Sequence, residues 1–289
     1  MSTSSRELSR FLILAFAISW IIWAACLAVG LDVTGSSITW LFAIGASGPT
    51  IAAIILWCVI RRRMAGISTR WRRSWLWAPA AVALGAAPIA LTALALAPGD
   101  VAVRLTDGVE PVVAESGGVL LFVVTYLVAG PLAEEFGWRG FAQPRLRERF
   151  GLIGTSVVLG AAWALWHVPL YLLPGTGQSA AGLFSLPALL FFASCVPLSA
   201  VFLVVSERLG GGVASAVLLH FVLNVGLSVL PLDSALASCL YLGYTTLIAV
   251  VLAVTVWRSP RYRAISTSSP TAIAAASRKS SRWSGTSTV

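Results

Sequence analysis

Apolar residues fall in eight long stretches, 11–30, 39–60, 75–98, 118–133, 152–173, 183–205, 213–230 and 236–257, and charged residues are confined almost wholly to the segments between them. A bilayer core about 30 Å thick is crossed by roughly 20 mostly apolar residues of helix, so each stretch spans or nearly spans it. In lipid, a helix satisfies its backbone hydrogen bonds within one segment. The pattern predicts an all-α polytopic membrane protein, a bundle of eight transmembrane helices in residues 1–257. Residues 258–289 are rich in Ser, Thr and Ala, with six basic residues and no acid. They hold too little apolar surface to offset the entropy of ordering, so a disordered cytoplasmic tail is expected there.

The loops set the orientation, because short cytoplasmic loops carry an excess of Lys and Arg. With the N-terminus inside, eight spans place all but one of the 20 basic residues on the cytoplasmic side: Arg6 and Arg10, Arg61 to Arg73, Arg139 to Arg149, Arg208 and the tail. The exception, Arg104, shares the outer segments with Asp32, Asp100, Asp107, Glu110, Glu115 and Asp233. Both termini are expected in the cytoplasm.

Composition agrees with lipid as the solvent. Of 289 residues, 58% are hydrophobic and 11% charged, against roughly 25% charged in soluble domains. A formal charge of +9 would point to nucleic acid in a soluble protein, but topology already accounts for these arginines, so the bilayer is the expected partner and nucleic acid is not. Arg6 and Arg10 before the first stretch resemble the start of a signal peptide. That stretch is long for a signal sequence and a multispan pattern follows, so it is retained as a helix.

Cys26, Cys58, Cys195 and Cys239 stand singly in apolar runs, without the pairing of a disulfide or metal site, and are expected as small core residues. Trp20, Trp23, Trp40, Trp75, Trp77 and Trp257, near the ends of stretches, fit a headgroup belt. Pro169 and Pro174 are placed to break or bend the fifth helix.

Polar groups within hydrocarbon cost a few kcal/mol each by insertion scales, about 3 at a helix centre, which makes the ionisable residues in or beside spans the candidates for chemistry. Glu134 and Glu135 lie where the fourth span meets a basic segment. Adjacent helical residues point about 100° apart, so the two cannot share one role, whereas Glu135 and Arg139 at i, i+4 can pair. The only histidines, His167 and His220, sit inside apolar spans, and Asn224 shares a helix face with His220. Converging from three spans, these groups supply a carboxylate to deprotonate water, imidazoles to hold it, and donors for a developing oxyanion. Glu134, His167 and His220 equally match the three protein ligands of a catalytic zinc, and residue chemistry does not choose between the two versions.

The string Glu134-Glu135-Phe136-Gly137-Trp138-Arg139, then Trp163 four residues before His167, then His220 four before Asn224, resembles the motif set of the CPBP (CAAX protease and bacteriocin-processing) family of intramembrane proteases. That family includes the CAAX prenyl endopeptidases and has an eight-helix membrane fold. The motifs fall within residues 118–232. The resemblance implies that Glu134 activates the attacking water, assisted by His167, and that Glu135 with Arg139 is structural or supporting. His220 and Asn224 would stabilise the oxyanion or bind a metal, for which zinc is the expected ion. Trp163 stands where the family usually has Phe, and either large ring walls a pocket. The implied activity is hydrolysis of a peptide bond in a membrane protein or lipidated peptide, near the cytoplasmic leaflet. Two other functions use the same residues: a noncatalytic immunity or assembly factor of the same fold, and a transporter with a proton relay. The second lacks polar continuity across the membrane.

Overall fold

The computed structural model describes residues 3–34, 39–60, 77–230, 232 and 234–257. The arginine cluster at 61–73, Trp75, Asp233 and the tail from 258 lie outside the described residues. Among those described, the elements are helices and no strand occurs: α1 (Thr3–Ala28), α2 (Thr39–Ala46), α3 (Gly48–Ile60), α4 (Trp77–Leu96), α5 (Val101–Glu115), the long α6 (Val119–Arg147), α7 (Leu152–Trp166), the short α8 (Gly177–Ala181), α9 (Leu186–Arg208), α10 (Gly212–Val229) and α11 (Ala235–Trp257). Seven helices are long and apolar enough to cross a membrane, or eight if the bent pair Trp40–Ala46 and Gly48–Ile60 is one span. The protein is thus an all-α polytopic membrane protein. Residues 1–249 form one compact unit, and residues 250–289 another, described only as far as the end of α11.

The second apolar stretch breaks by 57° because Pro49 has no N–H to give an upstream turn. In the first turn of a new helix that missing donor costs nothing. Packing between spans relies on small residues: a Cβ on Gly137 would lie 2.5 Å from the Pro49 backbone, and one on Gly160 2.6 Å from Val196 Cα. Backbones in contact supply the van der Waals attraction that holds membrane helices together, since lipid tails provide no hydrophobic drive for it. Ile13, Val59, Leu120, Ile153 and Leu189 project outward, each more than half exposed, as a lipid-facing surface requires.

Two ends of the compact unit are defined by polar contacts. Arg145 Nε donates to Glu7 at 3.0 Å and Arg147 Nε to Glu207 at 3.2 Å, gathering the start of α1 with the ends of α6 and α9. At the opposite end, Val33 N–H donates to the Pro174 carbonyl at 3.0 Å, joining the loops that follow α1 and α7.

Three expectations are corrected. The segment 101–115, expected as a loop, is helix α5; Arg104, Asp107 and Glu110 interrupt its apolar run, so it lacks a spanning stretch while keeping a helical period. Trp23 is fully buried, against Trp166 at 4.9 Å between ring centroids, and its indole donates to the Phe42 carbonyl; it holds α1 to α2 and is no belt residue. Cys26 and Cys195 are buried, but Cys58 and Cys239 are exposed, on outer helix faces that lipid rather than protein would cover.

Candidate active site

The glutamates sit deeper than the sequence pattern places them. The helix does not end near residue 133 but runs on to Arg147, so at about 1.5 Å of rise per residue Glu134 is roughly 20 Å from either end of α6. The chain continues as helix because Trp138, Phe141 and Leu146 are buried apolar residues and the Arg139 charge is met by Glu135 on the same face. Hydropathy sees the charges, not their mutual compensation.

Just before the glutamates, α6 is irregular. Ala129 (φ −82, ψ 35) and Gly130 (φ 177, ψ −76) leave helical geometry, since Pro131 cannot donate and disfavours helical backbone in the residue before it. Wide, π-type turns at Val128–Leu132 and Trp138–Ala142 flank the α-helical turn Ala133–Gly137; such turns recur at functional sites. Gly130 lets the backbone approach closely. A Cβ there would lie 2.8 Å from Asn224 Nδ2, 3.7 Å from His220 Nε2 and 3.9 Å from Glu134 Oε1. Polar heads from α6 and α10 therefore ring one point.

The Glu134 and His220 heads are each held by a partner. Glu134 Oε2 accepts from the Trp163 indole at 2.7 Å, which turns Oε1 towards His220 and Asn224. Glu135 is fully buried, and its Oε1 accepts both from Arg139 Nη1 at 2.9 Å and from His220 Nδ1 at 2.8 Å. His220 thus presents Nε2 to the Gly130 point. The Arg139 guanidinium lies 3.8 Å from the centre of the Phe202 ring and 4.8 Å from that of Trp163, and among the described residues its Nε and Nη2 have no hydrogen-bond partner. Attraction to the ring faces takes the place of those bonds. His167 Nδ1–H donates to the Trp163 carbonyl at 2.7 Å, which leaves Nε2 as the acceptor of that ring.

Glu134, His167, His220 and Asn224 all line one cavity of about 640 Å³, together with Trp163, Trp166 and Phe191. Glu135 and Arg139 lie behind it. The i, i+4 pair of Glu135 and Arg139 is as the spacing predicted, but the bond from His220 to Glu135 was not foreseen, because spacing does not say which glutamate faces α10. The Trp163 bond to Glu134 was missed as well: the residue was read as a wall, although its indole N–H, which Phe lacks, was the available signal. Among the described residues, no three of the His, Cys, Asp and Glu side chains are brought together to hold one metal ion. Of the expected set of Glu134, His167 and His220, Trp163 takes one Glu134 oxygen, while His167 and His220 direct Nδ1 to a carbonyl and a carboxylate.

Comparison with known proteins agrees with the motif reading. Residues 116–226 match a family model described as Rce1-like, type II CAAX prenyl endopeptidase. Over 104 residues the chain is 30% identical to CAAX prenyl protease 2 of Methanococcus maripaludis, covering 36% of this chain and 38% of that protein. The chain therefore spans well under half the length of this curated relative.

Proposed function

We propose, from the premise that residues 116–226 form an Rce1-like module of the CPBP type, that this protein is an intramembrane endopeptidase acting on a membrane-associated protein. The observation that supports this most is the convergence of Glu134 Oε1, His220 Nε2 and Asn224 Nδ2 beside Gly130. A water at that point gives a proton to Glu134 Oε1 as its oxygen attacks the carbonyl carbon. The carbonyl oxygen, gathering negative charge, takes a hydrogen bond from Asn224 Nδ2. His220 donates from Nε2 when its ring carries both protons, with Glu135 on Nδ1 as counter-charge. Donors already fixed in a water-poor site stabilise that charge without reorganising. Glu134 then passes its proton to the departing nitrogen as the C–N bond breaks. His167, anchored by the Trp163 carbonyl, helps position water or substrate through Nε2.

The test is cleavage of a set of tagged membrane proteins by the purified chain in proteoliposomes, with chelator or with added zinc. Cleavage is expected, and none by folded protein overturns the reading. The side chains as arranged favour cleavage unaffected by chelator. Chelator-sensitive cleavage restored by zinc would instead assign Glu134, His167 and His220 as ligands.

Trp163 acts as a positioning residue in this scheme. A hydrogen bond to a charged group is worth about 1.5–3 kcal/mol, so Trp163→Phe, which keeps a large ring without the donor, is expected to lower kcat by about tenfold or more. KM should change little. An unchanged kcat would mean that the ring serves only as packing.

A further inference from the structure

The cavity has a direction. Its floor is Glu134, His167, His220 and Asn224, and its lining continues to Val33, Gly175, Gln178, Ala181 and Leu232. Those last residues lie in or beside the connections after α1, α7 and α10, and Gly175, Gly177 and Ala181 there are exposed. This is the end at which Val33 bonds to Pro174. The contacts of Arg145 with Glu7 and Arg147 with Glu207 mark the other end, and none of the described residues there lines the cavity.

Charge assigns the two ends to opposite sides of the membrane. The helix termini at the Glu7 and Arg145 end, which include Ile60 beside Arg6 and Arg10, adjoin the segments that carry Arg6, Arg10, Arg61 to Arg73, Arg145 to Arg149 and Arg208, which the positive-inside bias places in the cytoplasm. The end with the cavity mouth is acidic, with Asp32, Asp100, Asp107, Glu110 and Glu115 set against Arg104. No Lys or Arg is among the described residues that line the cavity, so the lining offers a terminal carboxylate no permanently charged cation.

We infer that the cavity opens to the non-cytoplasmic side and admits internal, neutral or basic peptide segments of exported or membrane proteins, rather than carboxyl-terminal peptides from the cytoplasm. This rests on the proteolytic reading for the cleavage, but not for the sidedness. It also revises the expectation of cleavage near the cytoplasmic leaflet: the floor lies midway along α6, and the approach is from the opposite face.

The test starts from a chain in which the exposed Cys58 and Cys239 are replaced by Ser and the buried Cys26 and Cys195 are kept. Gln178→Cys at the mouth and Glu148→Cys at the arginine end are each treated with a membrane-impermeant maleimide in right-side-out and in inverted vesicles. Folding of each variant is checked by its monodisperse elution in detergent. Gln178→Cys is expected to label only in right-side-out vesicles and Glu148→Cys only in inverted ones; the reverse pattern overturns the inference. In parallel, one internal reporter segment is displayed on a membrane anchor facing either side. Cleavage confined to the exported display supports the inference, and cleavage confined to the cytoplasmic display overturns it. If labelling is as expected and neither display is cut, the sidedness stands and the proteolytic reading fails.

Discussion

Glu134→Gln is expected to abolish most cleavage, lowering kcat by about 10²- to 10⁴-fold, the range that a positioned general base contributes. The substitution is chosen so that little else changes. Glutamine has the same shape, and its carbonyl oxygen can still accept the Trp163 indole that holds Glu134 Oε2 at 2.7 Å. What it loses is the ability to take a proton from water and return it to the leaving nitrogen. Among the described residues Glu134 is in no ion pair, and it faces the indole and the heads around Gly130, so the neutral side chain should leave thermal unfolding in detergent unchanged or slightly raised. KM should also hold, because the cavity wall is the same. A Glu134→Gln protein that cleaves at the wild-type rate would show that the water is activated elsewhere, and a fall in kcat with a matching fall in stability would make the residue structural.

The sequence made the fold class legible because lipid imposes one rule on every span, and eight apolar stretches meet it. Boundaries were legible where a stretch ends on Pro, Gly or arginine, as α10 and α11 do. They were not where charges cancel inside a helix. Glu135 and Arg139 read as the end of a span because hydropathy adds residues one at a time, whereas the helix buries them as a pair. The α5 helix was missed for the opposite reason, since its charges are spread around an element that never becomes apolar enough to span. At the site, residue type and order were enough to bring Glu134, His167, His220 and Asn224 to one cavity. Which atom faces which was not available: that Trp163 takes one oxygen of Glu134, and that Glu135 rather than Glu134 meets His220, depends on the rotation of α6 about its axis and on the kink at Gly130.

Glu135 is where stability and chemistry meet, and the two can be separated. Glu135→Ala removes the acceptor shared by Arg139 and His220, leaving the guanidinium buried with ring faces as its remaining partners. Breaking a buried pair from one side costs about 3–5 kcal/mol, because the stranded charge keeps its desolvation penalty. A marked drop in the unfolding temperature in detergent is expected, together with loss of cleavage. The double variant Glu135→Leu with Arg139→Met replaces both charges by apolar groups of similar size, an exchange that is often neutral or stabilising at buried pairs. Its unfolding temperature should return towards that of the wild type. Cleavage should not return with it, because His220 Nδ1 still has no carboxylate to fix its ring and its Nε2 is no longer held towards Gly130. If the double variant regains both, Glu135 serves only to neutralise Arg139. If it regains stability alone, Glu135 is the positioning residue that sets the orientation of His220.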